Sequence, residues 1–190
     1  KSFSLSKIGW QHTNYSISKL WRYNQHYFDD LNAIDSSKRT QWHDRLIKNW
    51  INKNKLAKGI GWDSYPTSLR IVNWIKWQLL GNKLSEESID SLALQTRWLC
   101  KRIEWHIQGN HLFSNAKALI FSGLFFSGKE AETWFNKGLT IINDELNEQI
   151  LEDGGNFERS TMYHSIFLED LLDLINIALS SSKNISNKQI

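Results

Sequence analysis

The chain consists of stretches in which apolar residues recur at every third or fourth position, separated by short polar or glycine-containing breaks. This spacing places apolar side chains on one face of a helix, and no stretch shows the two-residue alternation typical of a half-buried strand. The pattern therefore predicts an all-α protein of about seven helices. We expect these helices near residues 20–31, 36–51, 67–81, 85–106, 112–126, 130–151 and 161–179.

The predicted connections are short, about 3–10 residues, so consecutive helices should form antiparallel hairpins. The nearly all-apolar stretch at residues 112–126 is expected to be buried on most sides. Residues 1–180 are predicted to form one helical domain, followed by a polar tail at residues 181–190. The pattern leaves a bundle, a solenoid and a closed ring of hairpins as alternatives. An odd set of hairpins that starts late in the sequence also suggests part of a longer chain.

The composition excludes several classes of protein. A single Cys excludes an internal disulfide and a thiolate metal cluster. The 23 basic and 20 acidic residues give a net charge of +3, which is too small to indicate nucleic-acid binding. No apolar run approaches the roughly 20 residues of a membrane span. The first residues do not have the pattern of a signal peptide, and the compartment stays open.

Ten Trp residues are unusually many for a chain of this length. Those on apolar stripes are expected in the core, whereas those in a loop or beside polar residues near helix ends could stack on sugar rings. The first group is Trp42, Trp50, Trp74 and Trp134, and the second is Trp21, Trp62, Trp77, Trp98 and Trp105. With the Asn, Arg, His and Tyr side chains, this composition indicates a groove for an anionic polysaccharide.

Two breaks between helices are richer in polar side chains than a turn requires. In the first, residues 108–111, Gly109 could end one helix and Asn110 could cap the next, or Asn110 and His111 could supply an amide donor and a titratable ring. The second, residues 152–164, carries two adjacent Gly residues.

In this second break, Ser160 or Thr161 could act as a helix cap. A functional interpretation rests on the density of Glu158, Arg159, Tyr163 and His164 within seven positions. A phenol near a cation or an imidazole can act as an acid or a base.

Other reaction classes lack their motifs. No nucleophile elbow, HExxH motif or Cys/His ladder is present, which disfavours acyl transfer and zinc hydrolysis. The segment Gly59-Ile-Gly61-Trp-Asp-Ser64 lacks the third Gly of a dinucleotide loop and follows no predicted strand. Glu169, Asp170 and Asp173 could hold Mg²⁺ from one helix face, but such acids more often form a solvated face.

Four segments, in this order, resemble the N-terminal helical domain of the heparinase II/III-like polysaccharide lyases, a group that includes heparin, heparan and alginate lyases. Together they span residues of about 20 to 175, and the last two are the specific ones. The segments are Leu20-Trp-Arg-Tyr-Asn-Gln-His-Tyr-Phe-Asp-Asp-Leu31, Tyr65-Pro-Thr-Ser-Leu-Arg-Ile-Val-Asn-Trp-Ile-Lys-Trp77, Gly109-Asn-His-Leu-Phe-Ser-Asn-Ala-Lys-Ala-Leu119 and Asp153-Gly-Gly-Asn-Phe-Glu-Arg-Ser-Thr-Met-Tyr-His164.

The resemblance implies an incomplete (α/α) toroid of antiparallel helix hairpins that continues into a C-terminal β-sandwich domain of the same protein. It also implies β-elimination on an anionic, uronic-acid-containing polysaccharide, in a periplasmic or secreted location, without a cofactor and without a metal held by these residues. The C5 proton of a uronate is very weakly acidic while the neighbouring carboxylate stays charged, so the site must neutralise that carboxylate and stabilise the developing enolate.

The resemblance assigns roles to the residues of the two polar breaks. Asn110, helped by His111, is the expected partner of the sugar carboxylate. Tyr163 is expected to protonate the leaving oxygen, and in some relatives also removes the C5 proton. The expected substrate-binding residues around it are Glu158, Arg159 and His164.

Four residues of the earlier segments, Trp62, Tyr65, Arg70 and Trp77, are weaker candidates for a groove wall. One alternative is a non-catalytic carbohydrate-binding or scaffold domain, in which Asn110, His111 and Tyr163 would not converge. Another is a glycosidase, which would need two carboxyl groups about 5–9.5 Å apart. The loop candidates for such a pair are Glu152, Asp153 and Glu158.

Overall fold

The structure, a computed structural model, describes residues 9–10 and 17–181. The regular elements of these residues are all helices, and none is a β-strand. The predicted all-α class is confirmed. The part of the predicted tail after Ser181 lies outside the described residues. The seven α-helices are α1 (Lys19–Asn24), α2 (Thr40–Lys53), α3 (Ser64–Leu79), α4 (Glu86–Cys100), α5 (Gly109–Phe125), α6 (Lys129–Gln149) and α7 (Thr161–Ser180), and the three short 3₁₀ helices are Asp29–Asn32, Ser36–Arg39 and Ile60–Trp62.

The first predicted helix is too long, because the structure ends it at Asn24 instead of near Leu31. Phe28 has a left-handed backbone with a φ of 65°, which interrupts the helix before the 3₁₀ turn at Asp29–Asn32. Burial of the Phe28 side chain, which stacks on Trp10 with 5.8 Å between ring centroids, accompanies this conformation. Tertiary packing therefore overrides the helical pattern here.

Two other helix ends also differ from the prediction. Helix α3 begins at Ser64 rather than after Thr67, with Pro66 in its first turn, where a missing N–H breaks no intrahelical bond. Helix α4 ends at Cys100 rather than near His106. The loop that follows it therefore begins six residues earlier and carries residues of the site described below.

The chain divides into two compact units, one up to Lys101 and one from Arg102. The core of the first unit is aromatic: the Trp50 ring lies 5.6 Å from Trp62 and 5.9 Å from Trp74 between centroids. The Arg70 guanidinium lies 3.8 Å from the centroid of the Trp50 ring. Trp42, which was expected in the core, is 70% exposed on α2.

In the second unit, α5 packs closely against α6. A Cβ added to Gly138 would lie 2.8 Å from the carbonyl oxygen of Ala116, and one added to Gly123 would lie 2.6 Å from the Cβ of Phe135. These two glycines therefore let the helices approach. Since the contacts pair low numbers on α5 with high numbers on α6, the two helices are antiparallel.

An ion pair is buried between α5 and α7. The Lys117 Nζ donates to Asp170 Oδ1 at 2.7 Å and to Asp173 Oδ2 at 2.6 Å. The sequence suggested that these acids form either a solvated face or an Mg²⁺ site. The structure supports neither for Asp170 and Asp173, because both bind Lys117. Burial raises the pKa of the Asp170 carboxyl, although the charge of Lys117 acts in the opposite direction.

Within the described part of the chain, no helix has the length and apolar character needed to cross a membrane. No group of three or more His, Cys, Asp or Glu residues that could hold a metal ion occurs among residues 9–10 and 17–181.

Candidate active site

The two polar breaks lie at the same end of a pair of parallel helices, α5 and α7. The rings of Phe113 and Phe167 lie 4.5 Å apart between centroids. One turn further along, Lys117 of α5 contacts Asp170 of α7. Because the contacts advance in the same direction along both helices, α5 and α7 run parallel, and their N-termini lie at the same end.

This register brings Asn110 and Tyr163 to corresponding positions. Asn110 lies three residues before Phe113, and Tyr163 lies four residues before Phe167. At 1.5 Å per residue, both are about one helical turn from the ring pair and on the same faces as those rings. Both side chains are partly exposed. The amide and the phenol are therefore carried by adjacent helix N-termini.

The two loops that precede these helices lie close to each other at Gly109. A Cβ added to Gly109 would lie 3.7 Å from Glu158 Oε1 and 4.0 Å from Phe157 Cζ. Gln108 and Gly109 both have a positive φ, 58° and 53°, so the chain turns sharply into α5 at this point. Glu158 therefore lies against the backbone at the start of α5.

Asn110 does not cap α5, which was one reading of its sequence position. The helix begins at Gly109, so Asn110 is in its first turn, and the capping residue Gln108 makes no side-chain cap hydrogen bond. The side chain of Asn110 is therefore not needed to start the helix. In the second break, the prediction that Ser160 or Thr161 caps the next helix is confirmed for Ser160, whose side chain accepts a hydrogen bond from the Tyr163 N–H at 3.4 Å.

The loop before α7 is shaped by its own hydrogen bonds. The Phe157 N–H donates to the Gln149 carbonyl at 2.9 Å, and the Gly155 N–H donates to Asp153 Oδ1 at 2.9 Å. The buried Asn156 accepts a hydrogen bond from the Glu158 N–H at 3.1 Å through its side-chain oxygen. Asn156 therefore holds Glu158 beside the start of α5.

Charges of both signs lie at this end, because the Glu158 carboxylate is accompanied by groups that attract an anion. Two helix N-termini with the same direction each carry a partial positive charge from the helix dipole. Arg159 and His164 are exposed at the start of α7, and His111 is partly exposed at the start of α5. A carboxylate-bearing ligand at this end would therefore meet two helix dipoles and the cation of Arg159, together with the carboxylate of Glu158.

The C-terminal part of α6 lies at this same end, since α6 is antiparallel to α5. Its Glu145 is buried and accepts a hydrogen bond from the Gln149 Nε2. Burial raises the pKa of the Glu145 carboxyl, which favours its neutral form. This acid therefore opposes an incoming anion less than an exposed carboxylate would.

Sequence reasoning missed one acid that contacts a candidate residue. Glu104 Oε1 lies 3.3 Å from the His111 Nδ1, in the loop between α4 and α5. The buried Asn115 holds Glu104 by two hydrogen bonds, from the Glu104 N–H to Asn115 Oδ1 and from Asn115 Nδ2 to Glu104 Oε2. An Asn inside a nearly all-apolar helix was the available signal, because a buried amide needs partners.

Three of the four groove-wall candidates lie in the core of the first unit, which corrects their interpretation. Arg70 is fully buried and donates from Nε to Gln95 Oε1 at 2.8 Å. Trp62 is buried and donates to the Asn54 carbonyl at 3.2 Å, and Trp77 is also buried. Buried side chains have no surface to offer to a polymer, so these residues stabilise the core.

Tyr65, the fourth groove-wall candidate, is partly exposed, and its ring packs edge-on against Tyr27 with 5.9 Å between centroids. Trp105, which the sequence grouped with the potential sugar-stacking residues, is 55% exposed in the loop directly before α5. It therefore offers an accessible indole within five residues of Asn110.

Comparisons with known proteins show where the chain belongs. The family model described as Heparinase II/III N-terminus matches residues 4–188. A heparin-sulfate lyase of Bacteroides thetaiotaomicron is 38% identical over 151 residues, covering 70% of this chain and 20% of the relative. A heparin-sulfate lyase of Bacteroides stercoris is 42% identical over 72 residues, covering 37% of this chain and 11% of the relative.

The fold comparison agrees with the sequence comparison. The crystal structure of heparan sulfate lyase HepC from Pedobacter heparinus matches with a TM-score of 0.65 at 21% identity, covering 90% of this chain and 30% of that chain. The match shows a shared helical fold. The chain thus spans from about a tenth to under a third of the length of these longer proteins.

Proposed function

The chain belongs to the heparinase II/III N-terminal family, and from this premise we propose that it is the helical part of a polysaccharide lyase acting by β-elimination on a uronic-acid-containing anionic polysaccharide. Asn110, His111 and Tyr163 are its proposed catalytic residues. Glu158, Arg159 and His164 are the proposed substrate-binding residues around them.

The proposed reaction breaks the bond between C4 of the uronate and the oxygen that joins it to the next sugar. A base removes the C5 proton, the C5–H electrons form the C4=C5 double bond, and the leaving oxygen receives a proton. The amide of Asn110 donates to the substrate carboxylate, where negative charge grows as C5–H breaks. The phenol of Tyr163 supplies the proton to the leaving oxygen.

The observation that supports this proposal most strongly is the parallel register of α5 and α7. The Phe113–Phe167 contact and the Lys117–Asp170 pair fix this register. An amide and a phenol at adjacent helix N-termini match two of the roles that the elimination requires, carboxylate neutralisation and protonation of the leaving oxygen; the base that removes the C5 proton is a third role. A carboxylate pair is less well suited, because Asp153 already accepts a hydrogen bond within its own turn.

Heparin or heparan sulfate is the proposed first substrate class. The matched relatives from both Bacteroides species carry the name heparin-sulfate lyase. The positive helix ends and Arg159 suit a polyanion, and the exposed Trp105 offers a face for a sugar ring. We further propose a periplasmic or secreted location and a C-terminal β-sandwich domain in the complete protein.

The experiment that tests the proposed function is incubation of the complete protein with heparin, heparan sulfate, alginate, hyaluronan and chondroitin, each followed by ultraviolet absorbance of the unsaturated uronate. We expect absorbance to rise with at least one of these polymers, heparan sulfate first. Binding of a polymer without any unsaturated product would instead support the non-catalytic scaffold function.

A further inference from the structure

Three side chains of the second unit form a connected set at the start of α5. Asn115 is fully buried and holds both the backbone and the carboxylate of Glu104, with bonds of 2.9 Å and 3.1 Å. The other carboxylate oxygen of Glu104 lies 3.3 Å from the Nδ1 of His111. One oxygen of Glu104 is thus fixed by the core, and the other faces the imidazole.

We propose that Glu104 is a positioning residue that selects the tautomer of His111. A carboxylate at this distance attracts an N–H and repels a ring lone pair, so it favours the form of His111 in which Nδ1 carries the hydrogen. The Nε2 of His111 is then a lone-pair acceptor in the neutral ring and a donor when the ring is protonated.

This positioning role affects the tautomer of His111, whereas a purely structural role would affect the position of the Glu104 loop. Asn115 already ties the Glu104 loop to α5, so the loop does not need His111 to stay in place. His111 follows Asn110 directly in the first turn of α5. The orientation and tautomer of its ring therefore determine whether a hydrogen-bond donor or acceptor lies next to the amide of Asn110. The catalytic consequence rests on the proposed function, whereas the tautomer does not.

The tautomer is tested by ¹⁵N NMR of the complete protein labelled with [¹⁵N]histidine, with His111 assigned by comparison with His111→Gln. We expect Nδ1–H in the unmodified protein and a shift toward Nε2–H in Glu104→Gln, whose amide can turn its NH₂ toward the ring. The double variant Glu104→Gln/Asn115→Asp restores an acceptor for that NH₂ and should return His111 to Nδ1–H. An Nε2–H tautomer in the unmodified protein would overturn the proposal.

Activity provides the second readout. Carboxylates that orient histidines in metal sites typically contribute about 10- to 100-fold in activity, and we expect a loss of that size in kcat for Glu104→Gln with KM nearly unchanged. The control Glu132→Gln, at an exposed acid in the first turn of α6, should leave kcat unchanged.

The two failures are distinguishable. An unmodified protein with the Nδ1–H tautomer but no lyase activity would refute the proposed function and leave the positioning inference standing. An active protein in which Glu104→Gln changes neither the tautomer nor kcat would refute the positioning inference alone. Melting temperatures of all variants identify any loss that comes from unfolding.

Discussion

Phe113 on α5 and Phe167 on α7 meet with their ring centroids 4.5 Å apart and their planes at 51°. Because the next contact along both helices is the Lys117–Asp170 ion pair, the two helices share one direction. The ring pair thus fixes the relative axial position of Asn110 and Tyr163, which both lie one turn closer to the helix N-termini. A hydrophobic contact in the core determines the placement of the polar groups at the site.

Replacing Tyr163 with Phe removes the proposed acid and little else. Because general acid–base catalysis typically contributes 10²–10⁴-fold, we expect kcat on the cleaved polymer to fall by about that factor with binding retained. Ultraviolet absorbance measures the rate, and titration with the polymer measures binding. The control Tyr23→Phe makes the same chemical change in the first unit and should keep the activity. Undiminished turnover in Tyr163→Phe would assign the acid to another residue.

Replacing Asn110 with Ala should reduce kcat more than binding. The substrate carboxylate gains negative charge in the transition state, so a donor to it contributes more there than in the ground state. Loss of one such donor costs about 10²–10³-fold in comparable sites. Steady-state kinetics separate kcat from KM. Equal losses in rate and affinity would make Asn110 an ordinary binding group.

Replacing Lys117 with Met should strongly destabilise the second unit. The substitution leaves Asp170 buried without its cation, and breaking a buried ion pair in this way costs about 3–5 kcal/mol. Urea unfolding measures the loss. The partly exposed pair of Lys48 and Asp44 provides the control, since Lys48→Ala should change the free energy of unfolding by less than about 0.5 kcal/mol. A small effect in Lys117→Met would mean that water or side-chain rearrangement compensates Asp170.

Lowering the pH below about 6.5, the ordinary pKa of histidine, should decrease the free energy of unfolding, and His26 is the residue responsible. Burial, and secondarily the charge of Arg70, lowers the pKa of His26 to about 3, and its Nδ1 accepts a hydrogen bond from Trp50. The unfolded chain therefore binds a proton at higher pH than the folded chain does. Between these two pKa values the free energy of unfolding should decrease by up to about 1.4 kcal/mol per pH unit.

Urea unfolding at pH 7, 6 and 5 measures this decrease. In His26→Gln the proton-binding group is absent, so the pH dependence over the same range should be shallower by about the contribution of one histidine. An identical slope in the two proteins would show that another group is responsible.

The sequence predicted the long apolar helices of the second unit well, since α5, α6 and α7 begin and end close to their expected limits. It also placed the two polar breaks. It did not predict the interruption near Phe28, where the burial of one aromatic ring outweighs the helical pattern.

Two site assignments also needed three dimensions. Arg70 looked like a groove residue, because sequence alone does not show that Gln95, Thr67 and backbone carbonyls satisfy a buried guanidinium. Glu104 was missed because its importance comes from contacts with His111 and Asn115, seven and eleven residues further on, across a loop.

The most direct measurement is a double-mutant cycle of Asn110→Ala and Tyr163→Phe on kcat/KM for the cleaved polymer, with both variants made in the complete protein. If the amide and the phenol act on the same sugar in one transition state, the double variant should lose little more than the worse single variant. Losses that multiply independently would mean that the two groups act at separate places, and would contradict a shared site at the N-termini of α5 and α7.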